Sequence, residues 1–230
     1  MSVDDWLLDR HRQSACPPTL RFYTWSSPTI SLGYHQRRVP EFWRQLTWQG
    51  QPVSLVRRPT GGRAVLHDGD LTYSIVTSGL SGNRQQVYRQ LCLFLIRGWQ
   101  ALGVRLQFGD RTRGEYTQRA SCFATATAAD LVTDTGAKSI GSAQLWRGDA
   151  VLQHGSMPLT LDRNLFECVF GHSPDSVTLP WDKREERSID TLVSTLIEAA
   201  RDCYDIEFRV EPLSDMEWRD IETYSKDRHP

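Results

Sequence analysis

The residues best suited to chemistry fall in three segments of this 230-residue chain. The first is Arg57-Arg58-Pro59-Thr60-Gly61-Gly62-Arg63-Ala64-Val65-Leu66-His67-Asp68. Adjacent glycines let the main chain approach a ligand closely, and their N–H groups can form an anion-binding concavity. Arginines beside them suit a carboxylate or a phosphate. The same pattern also fits a Gly-Gly hairpin with solvated arginines. No Gly-Lys-Ser/Thr step follows, so this is not a P-loop. The second segment is Arg119-Ala120-Ser121-Cys122-Phe123-Ala124. A thiol among small and polar residues, with an arginine three positions upstream, is placed for access and for a raised thiolate fraction. The third is Ala137-Lys138-Ser139-Ile140-Gly141-Ser142-Ala143-Gln144, continuing to Leu152-Gln153-His154-Gly155-Ser156. Lys138, just before a run of small residues, either enters a cleft and holds a carbonyl or phosphoryl oxygen, or is a plain strand-end lysine.

The remaining cysteines read differently. Cys92 lies in an apolar helical run and Cys203 near a helix end, and both are expected to be packing residues. Cys168, in Leu165-Phe166-Glu167-Cys168-Val169-Phe170, is expected in the core, while Cys16 carries no evident role. Five cysteines at wide spacing, with no Cys-x-x-Cys pair, offer neither a zinc site nor a disulfide framework.

The elements that must position these groups follow from periodicity. Strands are expected over residues 20–25, 29–34, 53–58, 63–67 and 71–76, with a turn at Asp68-Gly69-Asp70 between the last two. A helix is expected from about residue 83 to 102, closed by Gly103. Strands over 104–108 and 129–133 and a meander from 138 to 161, with Arg147-Gly148-Asp149 at its tip, come next. The spacing of Ile189, Leu192, Val193, Leu196, Ile197 and Ala200 marks an amphipathic helix. Residues 206–210 alternate like a strand, and Ser214 with Glu217 forms a capping box for a last short helix. The pattern predicts an α+β (mixed α/β) fold over 1–230 as one domain, a largely antiparallel sheet packed with helices.

Composition limits the partners. Hydrophobic residues make up 39% and the net charge is −1, which gives no basic excess for nucleic acid or an anionic membrane. No apolar run approaches a membrane span. The first ten residues carry acids where a signal peptide needs positive charge, so a cytoplasmic location is expected. No apolar stripe asks for a second copy, and a monomer is expected.

Taken in order, the segments resemble the lipoate–protein ligase and octanoyltransferase family, whose catalytic fold is shared with biotin–protein ligases. Leu20-Arg21-Phe22-Tyr23-Thr24-Trp25 with Ser31-Leu32-Gly33-Tyr34 resembles its N-terminal hairpin. Arg57 through His67 resembles its RR-x-[TS]-GG-[RG]-AV-x-H loop. Residues 138–144 resemble its lysine motif ending in GSAQ, and 152–156 its L-Q-H-G-S strand. The match covers roughly residues 1–160. No GRGRxGR-type loop is present, which argues against a biotin ligase.

The resemblance implies a pocket for an acyl chain, with Arg58, Thr60, Gly61, Gly62, Arg63, Ala64, His67, Ser142, Ala143, His154 and Gly155 around it. Lys138 would contact the acyl carbonyl, and Val65, Leu66 and Leu71 would wall the chain. The two histidines are read as structural hydrogen-bonding groups. Cys122-Phe123, shortly before the lysine motif, looks like the Cys-Phe of LipM-type octanoyltransferases. These pass an octanoyl group through a cysteine thioester without a cofactor. The donor is acyl carrier protein. The acceptor is a lipoyl domain, such as a glycine-cleavage H protein or an E2 subunit. Ligases instead form an acyl-adenylate with ATP and Mg, and have a Gly-Arg-Asn-Asp-Leu-like sequence here, of which only Asp130-Leu131 is present. Many also carry an accessory domain, for which this length leaves no room. The Ala124-Thr125-Ala126-Thr127-Ala128-Ala129 run departs from the aromatic-containing sequence expected after Cys-Phe. A non-catalytic lipoyl-domain binding protein is the remaining alternative, and the intact Gly61-Gly62, Cys122 and Lys138 set speaks against it.

Overall fold

In the computed structural model, residues 1–109, 130–174 and 189–228 are described. Helix α1 (Ser2–Arg12) opens the chain. Strands β1 (Thr19–Tyr23) and β2 (Thr29–Leu32) follow, then a 3-10 turn (Glu41–Gln45) and β3 (Thr47–Trp48), β4 (Gln51–Pro52), β5 (Ser54–Arg57), β6 (Val65–His67) and β7 (Asp70–Thr77). Helix α2 (Arg84–Ala101) leads to β8 (Leu106–Phe108), β9 (Asp130–Thr133) and the hairpin of β10 (Lys138–Arg147) and β11 (Ala150–Pro158). The helices α3 (Arg163–Phe170), α4 (Ile189–Tyr204) and α5 (Asp215–Arg228) complete it.

The main sheet has the order β1-β7-β11-β10-β9-β8, with every pairing antiparallel. A smaller sheet, β5-β2-β6, holds the glycine segment, with β2 parallel to β5 and antiparallel to β6. The expected antiparallel α+β arrangement is present. The expected N-terminal hairpin is not: β1 joins β7 in the main sheet, whereas β2 goes to the smaller one. The Asp68-Gly69 step likewise turns a corner between sheets, because β6 and β7 do not pair with each other.

Period-2 alternation divides the main sheet into two faces. Tyr73 and Ile75 of β7 with Val151 and Met157 of β11 meet α2 and α4, and they share a core with Phe94, Leu95, Trp99, Leu192 and Leu196. Val76 and Leu152, one position along, meet α1 and α5 through Trp6, Leu7, Leu8 and Ile221. Full burial of each such leucine or phenylalanine is worth about 1.5–3 kcal/mol. A third cluster, of Ile30, Leu32, Trp43, Leu66, Leu165 and Phe166, lies against the smaller sheet.

The periphery departs from the sequence reading in three places. Helix α1 has no counterpart in the sequence reading, and its acids Asp4, Asp5 and Asp9 are buried. Residues 206–210 form no strand, because no neighbouring strand pairs with them. Phe208 packs on the core beside α4 while Val210 stands 89% exposed. Cys168 is exposed, since α3 buries Leu165, Phe166 and Val169 and turns Cys168 outward. The Ser214–Glu217 box is present, with the Ser214 N–H donating to Glu217 Oε2 at 2.8 Å and the Glu217 N–H to Ser214 Oγ at 3.3 Å. No helix among the described residues is long and apolar enough to cross a membrane.

Helix α2 supports the main core and begins on a capping box, Asn83 Oδ1 accepting from the N–H groups of Gln85 and Gln86 at 3.0 Å. Asn83→Ala is expected to lower stability by about 1 kcal/mol. Urea unfolding would show this as a lower midpoint at unchanged slope.

Candidate active site

The glycine segment is held by one side chain. Arg58 is buried, and its five N–H groups all reach oxygen acceptors. Nη1 donates to Ser31 O at 2.9 Å and Ser31 Oγ at 3.3 Å. Nη2 donates to Gly61 O at 2.9 Å and Arg63 O at 2.7 Å, and Nε to Gly61 O at 3.2 Å. Arg57 likewise donates to the carbonyls of Gly33, Tyr34 and Gln36. These two arginines shape the loop and do not present their forks to a ligand carboxylate or phosphate. The loop also abuts the end of β2, where the Tyr34 N–H donates to Thr60 O at 2.9 Å. A Cβ on Gly33 would collide with the carbonyl oxygen of Gly62.

Two histidines fasten the loop and β6 to the main sheet. His67 Nδ1 donates to Asp70 Oδ2 at 2.8 Å, and its Nε2 lies 2.8 Å from Ser31 Oγ. Trp25 stacks on the ring, the centroids 4.0 Å apart. Asp70 also accepts from Ser156 at 2.6 Å and Thr72 at 3.2 Å. His154, from β11, accepts from the Thr60 hydroxyl at 2.6 Å and faces Asp4 Oδ2 at 3.4 Å. Burial pushes His154 below its ordinary value, with Asp4 opposing, so the ring is neutral at pH 7. Burial would raise the Asp4 carboxyl. The His154 hydrogen bond and surrounding positive charge, Arg21 included, outweigh it and hold Asp4 below the usual carboxylate range. Arg21, Tyr23 and Ser74 all donate to Asp4, at 2.8, 2.9 and 2.9 Å.

Between these supports lies a cleft of about 170 Å³, lined in part by Gly61, Gly62, Val65, Lys138, Ser142 and Ala143. Arg58, His67, His154 and Gly155 also border it. Lys138 is buried and its Nζ lies 2.7 Å from Asp130 Oδ1. Of the expected site residues, Thr60, Arg63 and Ala64 are not among the described residues lining the cleft. Thr60 is spent on His154, and Ala64 is fully buried in the core of the smaller sheet. Of the expected chain walls, Val65 lines the cleft, but Leu66 and Leu71 point into core clusters. Cys122 lies outside the described residues.

Asp4, Ser31, Asp70 and Tyr73 were not singled out by sequence reasoning. Asp4 was read only as a charge unsuited to a signal peptide, and no spacing rule links it to a histidine 150 positions away. Asp130 had one signal, its place in the Asp130-Leu131 step. Among the described residues, no group of three or more His, Cys, Asp or Glu could hold a metal ion.

Residues 1–206, which carry every described residue lining this cleft, match the lipoyl protein ligase A/B catalytic domain. The chain belongs to that family. Family members named octanoyltransferase LipM include the protein of Moorella thermoacetica, 42% identical over 168 residues, covering 70% of this chain and 61% of that protein. Another, from Halalkalibacterium halodurans, is 29% identical over 252 residues, covering 100% of this chain and 91% of that one. The aligned region thus spans less than two thirds of the Moorella relative. Among solved structures, a lipoate-protein ligase A bound with ATP shares the family fold, with a TM-score of 0.78 at 23% identity over 99% of this chain and 88% of that one.

Two outcomes follow from the supports of this family site. Gly33→Ala, by displacing Gly62, is expected to abolish ligand binding in the cleft while leaving the far-UV circular dichroism unchanged. Stability should depend on pH through His154 and Asp4. His154 has a folded value below 6.5, so its unfolded form takes the proton first. Its contribution is complete above pH 6.5 and is lost as pH falls through the folded value. Asp4 adds a second loss below 3.8. Urea midpoints measured against pH should decline less steeply just below 6.5 in His154→Gln; an unchanged slope would show the ring is not held neutral.

Proposed function

We propose that this chain transfers an octanoyl (or lipoyl) group, through a thioester on Cys122, to the lysine of a lipoyl carrier domain. The observation that carries the reading is the buried Lys138–Asp130 pair at the wall of a narrow cleft, beside the main chain of Gly61 and Gly62. A cation fixed by its own carboxylate is placed to meet negative charge on an acyl oxygen without first reorganising. The names of the relatives agree with this chemistry.

In the first step the Cys122 thiolate attacks the thioester carbonyl of an octanoyl carrier protein. The tetrahedral oxyanion collapses, the bond to the carrier's sulfur breaks, and the leaving thiolate takes up a proton. In the second step the amine of the acceptor lysine attacks the Cys122 thioester. The amine loses a proton, the Cys122 thiolate leaves, and an amide remains. The first exchange is nearly isoenergetic and the second runs downhill, so neither requires ATP. Burial of chain methylenes contributes about 0.8 kcal/mol each to holding the substrate. The donor is acyl carrier protein, and the acceptor is a lipoyl domain such as a glycine-cleavage H protein or an E2 subunit.

Intact-protein mass spectrometry after mixing with octanoyl carrier protein tests this. The wild type should gain one hydroxylamine-labile octanoyl group and Cys122→Ala none. Modification of a lipoyl domain by Cys122→Ala only when ATP and free acid are supplied would replace the relay with adenylate chemistry.

A further inference from the structure

The face of the main sheet that meets α2 carries a line of polar side chains that packing alone does not require. On β10, Ser142, Gln144 and Trp146 share this face at period 2. The register places Ser142 opposite Gly155 and Gly155 opposite Tyr73; Gln144 stands opposite Gln153. The groups form one continuous chain. Trp146 Nε1 donates to Gln144 Oε1 at 3.1 Å, and Gln144 Nε2 to Gln153 Oε1 at 2.9 Å. Gln153 Nε2 donates to the Tyr73 hydroxyl at 3.0 Å and to Cys92 Sγ at 3.2 Å. The Tyr73 hydroxyl donates to Ser142 Oγ at 2.8 Å.

The direction of this chain is forced from one end. An indole N–H can only donate, so Gln144 must turn its oxygen to Trp146 and its amide N–H to Gln153. Gln153 then presents its own N–H groups to Tyr73 and Cys92. Tyr73, having accepted, passes its proton on. The thiol of Cys92 is a weak acceptor already met by Gln153, which leaves Ser142 as the recipient. Ser142 ends the chain as an acceptor on one side, so its own proton goes to the neighbouring Tyr88 hydroxyl or into the cleft that it lines. Gly155 makes the last link possible. A Cβ there would stand 2.7 Å from Tyr73 Cε1 and would collide with Ser142 Oγ.

We propose that Ser142 donates its hydroxyl proton to the acyl carbonyl oxygen, and that Tyr73, Gln153, Gln144 and Trp146 are positioning residues that set the direction of this donation. The inference rests on the acyl-transfer reading above and assigns the cleft a second, uncharged oxyanion donor beside Lys138. An oxygen gaining negative charge in the transition state is a stronger acceptor than a tyrosine hydroxyl. The hydroxyl would therefore turn from Tyr88 to substrate as the reaction proceeds.

Double-mutant cycles in the full chain test it. Ser142→Ala is expected to lower kcat on the order of 10²-fold with KM little changed, as for loss of an oxyanion donor. Tyr73→Phe and, more safely for folding, the half-buried Trp146→Phe should each lower kcat roughly three- to tenfold, and neither should have any effect in the Ser142→Ala background. Equal losses with and without Ser142, or an unchanged kcat in Ser142→Ala, would overturn the proposal. The same cycles are read in parallel by calorimetry on binding of octylphosphonate, whose tetrahedral oxyanion mimics the charged intermediate but undergoes no chemistry. A wild type that never octanoylates Cys122 removes the transfer reading alone. In that case, weaker octylphosphonate binding by Ser142→Ala, with no further loss from Trp146→Phe, supports the serine's role, and unaltered binding refutes it.

Discussion

A carboxylate withdrawn from water must be met by donors on every side, or the fold expels it. Asp4 is such a group, with no exposed surface, and three strands supply its partners: Arg21 and Tyr23 from β1, Ser74 from β7 and His154 from β11. Through His154 the constraint passes to Thr60, and so to the loop that carries Gly61 and Gly62. The N-terminal helix is therefore part of the site's foundation. Its outer acids, Asp5 and Asp9, are held separately by Arg147 at 2.7 and 2.6 Å, which fixes α1 against β10.

Much of this arrangement was legible in the chain, for reasons that differ from residue to residue. Helix α2 and the β10–β11 hairpin announced themselves through period, cap and turn. The glycine loop was visible because few other residues permit so close an approach of main chain. The tie between Asp4 and His154 was not legible, since it joins residues 150 positions apart. The role of Arg58 was misread because residue type does not reveal whether a guanidinium faces solvent or main-chain carbonyls. The alternation at 206–210 described a real apolar face, but a strand also needs a partner, and local sequence carries no information about that.

The two sheets divide the labour. The smaller sheet shapes the main chain of the glycine loop, with Arg58 and His67 as its fasteners. The main sheet supplies side chains, and its alternation sends neighbouring residues of one motif to opposite duties. Gln153 faces α2 and the polar line ending at Ser142, while His154 faces α1 and the loop. The Leu-Gln-His-Gly-Ser stretch thus serves both halves of the cleft, and a slip of one position would exchange its two roles.

The position of Cys92 gives the molecule a built-in reporter of its own opening. Its thiol has no exposed surface, and burial pushes it up to about 12, with hydrogen bonds from Tyr88 and Gln153 opposing. A soluble disulfide reagent therefore meets no thiolate able to attack it at this position while α2 stays docked. Cys168, standing in solvent on α3, has no such protection. The delay between labelling at these two positions would measure how often the core beneath α2 comes apart, in the way that amide exchange does for a backbone N–H.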